Sequence, residues 1–336
     1  MRRTQRTTIK DVGRRAGVSV GTVSKALNGT GAVSELTARR VIEAAHDLGY
    51  SPNKAAQGLV GGRSFQVGYG LPQLGAWGNP TLNAFLHAMV LAASGHGLEI
   101  TLFAGNEADT STYEELIRRG AVDGFVLSDT DYEDPRVDYL LEQSQPFVTF
   151  GRTARSERHF WVDVDGAAGT RDATDHVIAR GHRRVAVIAW PEGSETGDLR
   201  VEGVESALAE HGLEPPLIVR TSSGIEPGRR AMAEILDGHP GHTAVITVQD
   251  DLAIGAAVEA KARRVDVGSE VVVVGFDDIP SASIVEPALT TVRQPFERIG
   301  TVMVGMLAEA LTGAHQPRGE LLTPELVVRA STGGKE

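Results

Sequence analysis

Thr8–Asn28 reads TIKDVGRRAGVSVGTVSKALN, and its spacing decides how the first fifty residues fold. Thr8 followed three residues later by Asp11 puts a hydroxyl and a carboxylate where the free N–H groups of a helix start need acceptors. Ile9, Val12 and Ala16 recur on one face at helical spacing. Gly17 admits the left-handed backbone that ends a helix and permits a sharp turn. Ser19 opens a second helix with Val23, Ala26 and Leu27 on its apolar face. Its other side carries Val20, Gly21, Ser24, Lys25 and Asn28, a small, polar set with one cation. Short side chains and a few donors suit a helix that enters a DNA major groove. An ordinary hairpin with a solvated face is the competing reading, and the Gly17-Val18-Ser19 turn weighs against it.

A third helix is expected over SELTARRVIEAAHDLG, capped by Ser34, with Val41, Ala45 and Leu48 inward and Gly49 at its end. Three helices then form a small bundle around Ile9, Val12, Val23, Leu27, Val41 and Leu48, with Arg39 and Arg40 on the outside and available to phosphates. Charge supports that reading. Residues 1–63 carry 11 Lys or Arg against 4 Asp or Glu, a balance of +7, whereas the remainder carries 22 against 40, or −18. A basic head on an acidic body assigns contact with a polyanion to the head.

YSPNKAAQGL (50–59) and Gly61-Gly62-Arg63 follow. Pro52 suits a helix start, and a short helix could run to Leu59. Gly58 weakens it by about 1 kcal/mol relative to alanine, so alone in water it should be mostly unfolded. A flexible linker and a helix that folds on DNA are the two readings.

From Phe65 the pattern changes. Apolar runs FQVGYGL (65–71), LEITLF (98–103), GFVLS (124–128), PFVTF (146–150), RVAVIAW (184–190), AVITV (244–248) and EVVVVGF (270–276) alternate with helical patterns such as 80–94, 200–210 and 299–311. Alternation of this kind predicts an α/β fold of parallel sheets with helices on both faces. About 270 residues exceed one compact core, so two similar lobes are expected.

Little of the chain points to catalysis. No cysteine is present, which excludes disulfides, thiolate metal sites and cysteine nucleophiles. Gly68-Tyr69-Gly70 lacks the third glycine of a dinucleotide fingerprint, and GxxxxGK[ST], HExxH and GxSxG are missing. The ten histidines, among them His96, His182, His211 and His242, lie scattered and read as solvated surface. Asp163/Asp165, Asp250-Asp251 and Asp277-Asp278 are close carboxylate pairs, but each ends a strand or begins a helix, where carboxylates cap. No cofactor or metal is expected. The N-terminus has no apolar signal-peptide region and no apolar run spans a membrane, so a cytoplasmic protein is expected.

A ligand cleft has more support. Open α/β sheets bind ligands beyond the carboxyl ends of their strands, where Trp77, Asp129, Arg152, Trp190, Gln249 and Asp277 fall. Arg200 opens the helix after Trp190 and can point into a cleft. Arginine and carboxylates grip neighbouring hydroxyls, and tryptophan offers a flat apolar face, a mixture suited to a sugar.

The sequence resembles the lactose-repressor/galactose-repressor family of transcription regulators over nearly its whole length. TIKDVGRRAGVSVGTVSKALNG resembles the family's helix-turn-helix and YSPNKAAQGL its hinge helix. VDVDGAAGT, GHRRVAVI, Arg200–Gly203, TVQDDLAIGA, VVVVGFDDIP and LTTVRQP match its core in order and spacing. The resemblance implies a helix-turn-helix head (1–50), a hinge (51–64) and a periplasmic-binding-protein-like core. The two lobes would be 65–164 plus 293–322 and 165–292 plus 323–336. It further implies a repressor that binds a palindromic DNA operator as a homodimer, with a small-molecule effector, a sugar or sugar derivative, between the lobes. Thr8, Ser19, Val20, Gly21, Thr22, Ser24, Lys25, Asn28, Asn53, Ala56 and Leu59 would meet DNA, Leu59 as a minor-groove wedge. Arg152 and Trp161 fall where sugar-responsive members often touch ligand, and Gln249 replaces a more common Asn. Val20 and Gly21 are small for base readout, which shifts discrimination toward Lys25, Ser24 and DNA shape. The tail after Arg329 has no heptads for a tetramer-forming coil. A solute-binding protein of a transport system and a sugar kinase are the rival readings.

Overall fold

The computed structural model describes residues 7–28, 33–50, 63–71, 79–105, 109–313 and 316–333. The chain divides into two compact units, Met1–Phe65 and Gln66–Glu336.

In the first unit, α1 (Ile9–Ala16), α2 (Val20–Asn28) and α3 (Glu35–Asp47) form a bundle. The Asp11 carboxylate accepts the Thr8 backbone N–H at 3.0 Å and the Thr8 hydroxyl at 2.6 Å. Gly17 takes φ 65°, the left-handed turn that lets α2 leave at an angle. Ser19 Oγ accepts the Thr22 N–H at 3.1 Å, and Ser34 Oγ accepts the Thr37 N–H at 3.3 Å. Val12, Ala16, Val23, Val41, Ala44 and Ala45 are buried together, with Ile9, Ala26, Leu27 and Leu48 packed against them. Helices this short depend on that shared core rather than on propensity.

The second unit holds two six-stranded sheets. The first is ordered β11-β5-β4-β3-β1-β2 from β1 (Gln66–Leu71), β2 (Glu99–Ala104), β3 (Gly124–Leu127), β4 (Phe147–Phe150), β5 (Phe160–Val164) and β11 (Gly319–Leu322). All its pairings are parallel. The second is ordered β12-β10-β9-β8-β6-β7 from β6 (Val185–Ala189), β7 (Leu217–Arg220), β8 (Ala244–Thr247), β9 (Val272–Asp277), β10 (Thr290–Arg293) and β12 (Glu325–Val327). Only its edge strand β12 runs antiparallel, against β10. The chain passes between the sheets after Val164, after Arg293 and between Leu322 and Glu325.

Helices α4 (Pro80–Gly95) and α11 (Phe296–Thr312) cover one face of the first sheet, while α5 (Ser111–Arg118) and α6 (Pro135–Glu142) cover the other. Helices α7 (Gly166–Ala179), α8 (Glu195–Glu210), α9 (Ile225–Gly238) and α10 (Asp250–Ala262) enclose the second. Packing between α7 and α8 requires a glycine at 203, because a Cβ there would lie 2.2 Å from the Ala167 carbonyl oxygen. Continuous apolar strands such as VAVIA and VVVGFD are buried along their whole length, as two covered faces demand.

Among the described histidines, His176 and His182 are half-buried and hydrogen-bonded to Thr332 and Thr243, and His159 departs furthest from the solvated reading. His159 is 3% exposed, its Nε2 is 3.0 Å from Thr153 Oγ1 and its Nδ1 2.9 Å from the Phe160 carbonyl oxygen. The ring packs at a tilt beside Phe147, with ring centroids 5.1 Å apart, among apolar neighbours. Helix α8 also begins five residues before Arg200, at a Ser194 cap whose Oγ accepts the Gly197 N–H. Arg200 is therefore in the second turn, not at the opening.

Candidate functional site

In the head, the α2 surface presents Val20, Gly21 and Lys25 to solvent, with Val20 42% exposed. Ser19 and Thr22 share a hydrogen bond, Oγ to Oγ1, of 2.9 Å, so both hydroxyls serve the helix start. Ser24 is half-buried and Thr8 exposed at the start of α1. Arg39 pairs with Glu35 at 2.7 Å, while Arg40 is exposed. The bundle thus brings Thr8, Ser19–Thr22, Ser24 and Lys25 onto α1 and α2, and Asn28 ends α2. Asn53, Ala56 and Leu59, expected in the hinge, lie outside the described residues, as does Trp77 in the core.

In the core, five of the remaining expected residues sit at carboxyl ends of strands, whereas Trp161 lies near the amino end of β5 and Arg200 in α8. Asp129 follows β3, Arg152 follows β4, Trp190 follows β6, Gln249 follows β8 and Asp277 closes β9. Arg200 comes down from α8 and is 5% exposed; its Nη1 donates to the Val248 carbonyl at 2.6 Å and lies 3.9 Å from Asp277 Oδ1. The guanidinium lies over Phe276, 3.6 Å from the ring centroid, and near Trp190 at 5.5 Å. Burial pulls the Arg200 pKa below the usual arginine value, and Asp277, Asp163 and Asp250 oppose that shift. Asp277 is held at φ 116°, a backbone region costly for a non-glycine residue. Its Oδ1 accepts Gln294 Nε2 at 2.6 Å and its Oδ2 accepts Thr81 Oγ1 at 3.1 Å, a bond from α4 of the first lobe to β9 of the second. Burial raises the Asp277 carboxyl, with Arg200 holding it down. Asp250, at the start of α10, is raised by burial and by the neighbouring Asp277 charge, and accepts the Thr291 hydroxyl at 2.6 Å.

On the first lobe, Arg152 Nε donates to Asp163 Oδ2 at 3.0 Å, and its guanidinium lies 6.0 Å from the Trp161 ring. Trp161 covers the backbone of Gly319 on β11, where a Cβ would meet the indole. Asp129 is exposed at φ 48° and contributes no side-chain bond to the Arg200 cluster; its carbonyl accepts Arg136 Nη2 at 3.0 Å. Arg200, Trp190 and Asp277 therefore form one cluster, Arg152, Trp161 and Asp163 a second, and Asp129 stands apart.

Among the described residues, five buried side-chain polar atoms have no hydrogen-bond partner, and four belong to this region: Trp190 Nε1, Glu195 Oε2, Arg200 Nε and Gln249 Oε1. Unpaired buried polar atoms cost about 1–3 kcal/mol each. Their concentration near the strand ends of one sheet makes this the candidate site for a polar ligand. Glu195 and Thr81 escaped the sequence reading because helix starts supply them, and Gln294 because the short strand β10 that it follows was not singled out. The Ser194-Glu195 helix start, five residues before Arg200, was the available signal.

A helix-turn-helix head followed by a core of two largely parallel sheets, with buried polar side chains gathered at strand ends, is the architecture of a DNA-binding transcription regulator. The chain belongs to the LacI family of bacterial regulatory proteins. Residues 8–53 match the family described as bacterial regulatory proteins, lacI family, and residues 174–332 match the periplasmic binding protein-like domain. The HTH-type transcriptional regulator CelR of Thermobifida fusca is 34% identical, over 98% of this chain and 100% of that protein. A structure of the transcriptional regulator CelR–cellobiose complex is 31% identical with a TM-score of 0.74, covering 97% of this chain and 100% of that one. The lac repressor dimer bound to operator and an anti-inducer is 26% identical with a TM-score of 0.81, covering 98% of this chain and 99% of that one. These relatives are transcription regulators.

Proposed function

We propose that the chain represses an operon for carbohydrate uptake or use, binding a palindromic operator as a homodimer and releasing or tightening it in response to a sugar-type effector between its lobes. The observation that carries the effector reading is the buried Arg200–Asp277 pair ringed by unpartnered polar atoms at the strand ends. Arg200, Asp277, Trp190 and Gln249 form its inner wall, and Arg152 with Trp161 its first-lobe wall; Trp77 and Asp129 complete the proposed set. Cellobiose in the CelR complex supports a sugar, and the operator-bound lac repressor dimer supports the DNA geometry. The division proposed is a head (1–50), a hinge (51–64) and lobes 65–164 plus 293–322 and 165–292 plus 323–336. DNA contact falls to Thr8, Ser19–Thr22, Ser24, Lys25 and Asn28, with Asn53, Ala56 and Leu59 of the hinge.

A mobility-shift assay on the palindrome upstream of the gene tests this reading. The full chain shifts the operator, and a variant lacking residues 1–63 does not; full binding by that variant would overturn it. A thermal-shift screen of sugars identifies the effector, since a ligand at 100 times its dissociation constant stabilises by about 2.7 kcal/mol.

A further inference from the structure

Beside the Arg200 cluster lies a cavity of about 340 Å³ lined by Tyr132, Gly193, Glu195, Asp198, Leu199 and Glu202. Its size falls in the range of about 300–1,000 Å³ that small-molecule sites occupy. Glu195, Asp198, Leu199 and Glu202 recur at i, i+3, i+4 and i+7, so one face of α8 forms the second-lobe wall. Tyr132, 58% exposed, comes from the first lobe, and its carbonyl accepts the Ala154 N–H at 2.7 Å, which fixes its loop. Glu195 lines the cavity and feels the charges of Arg152 and Asp163, and its Oε2 is buried without a hydrogen-bond partner.

We propose that this cavity is a second subsite of the effector cleft, built for a further uncharged sugar ring, and that Glu195 makes the cleft reject anionic sugar derivatives. The inference rests on the sugar reading given above and narrows its ligand class. Two features decide it. The unpartnered atoms are two donors, Trp190 Nε1 and Arg200 Nε, and two acceptors, Glu195 Oε2 and Gln249 Oε1. Hydroxyls donate and accept and can satisfy both kinds, whereas a phosphate or carboxylate oxygen only accepts. The nearby cations are also already matched: Arg152 with Asp163, Arg200 with Asp277, and Arg220 with Asp198 at 3.1 Å. Glu195 shares Arg152 with Asp163, and Glu202 adds a further carboxylate, so the wall carries more carboxylates than cations and an anion placed there meets like charge. Tyr132 supplies an apolar face against which the C–H face of a pyranose ring can lie.

The test is calorimetric titration of the full chain with cellobiose, maltose, glucose, glucose 6-phosphate and glucuronate, repeated on Tyr132→Ala and Glu195→Gln after unliganded melting confirms that each variant folds. At least one neutral disaccharide is expected to bind about tenfold or more tighter than glucose, and neither anion to bind comparably. Tyr132→Ala should abolish the disaccharide advantage and leave glucose unchanged, and Glu195→Gln should improve glucuronate binding about tenfold or more, the reverse of the like-charge cost. Glucose binding as tightly as both disaccharides, or either anion binding as tightly as the neutral sugars, overturns the subsite while leaving a sugar effector in place. Binding of none of the five removes the sugar reading and the subsite with it.

Discussion

Replacing Arg200 by Met keeps much of the volume over Phe276 but removes the cation facing Asp277, 3.9 Å away, and the donor to the Val248 carbonyl. Breaking a buried pair from one side strands the other charge, which costs about 3–5 kcal/mol. Gln294 and Thr81 still donate to the Asp277 carboxylate, so the lower part of that range is expected. The cost depends on pH. Burial raises the Asp277 pKa in the folded protein above its unfolded value, so charging it destabilises the fold above the folded pKa, and the penalty is relieved as pH falls through it. Loss of Arg200 removes the main opposing influence and moves that folded pKa higher still. Urea unfolding followed by tryptophan fluorescence reads the core alone, because Trp77, Trp161 and Trp190 all lie beyond residue 65. Arg200→Met should be less stable than the parent by about 3 kcal/mol at pH 7.5, with a smaller deficit at pH 5, and should lose effector binding. A deficit under about 1 kcal/mol, the range of an exposed pair, or one that grows on acidification, would refute the reasoning.

Further outcomes follow from other parts of the molecule. Val23 is fully buried in the head, and Val23→Ala removes two methyl groups, a loss of about 1.5–3 kcal/mol from transfer and cavity together; operator shifts should weaken while effector titration stays unchanged. Lys25→Ala should flatten the salt dependence of operator binding by a slope of about one and reduce discrimination between operator and random DNA, read by mobility shift across a salt series. His159 is buried with a pKa below its ordinary value; protonation favours the unfolded chain, so its contribution is lost as pH drops through the unfolded value near 6.5. His159→Gln should lessen the fall in melting temperature between pH 7.5 and 5.5. Thr81→Val removes a hydrogen bond to a charged acceptor, worth about 1.5–3 kcal/mol, and frees Asp277 Oδ2, so effector affinity should rise in calorimetry rather than fall.

The head was legible because its signals are local. Thr8, Asp11, Gly17, Ser19 and Ser34 act within three or four residues, and each does in the structure what its chemistry allows. The long apolar strands were legible for the same reason, since two covered faces leave no polar positions. Strands β5, β7, β10, β11 and β12 were not singled out. Asp163 and Trp161 break the apolar run of β5, LIVR is only four residues, and Pro324 separates two edge strands rich in Glu and Leu. In the cleft, Arg200, Trp190 and Asp277 could be picked because strand ends point to a site. Asp129 obeys the same rule yet lies exposed, outside the cluster. Thr81 reaches the site only through packing between lobes, which no local spacing encodes, whereas Glu195 on α8 and Gln294 just after β10 belong with the second sheet, as Arg200 does.

Coupling between the two units is the central claim, and its most direct measurement is a closed thermodynamic cycle. Operator affinity is measured with and without saturating effector, and effector affinity with and without operator, at one salt concentration. Linkage requires both ratios to be the same factor, expected in the range of about 5–150-fold. Equal, non-unit ratios are the predicted result; an effector that binds the core and leaves operator affinity unchanged contradicts the account.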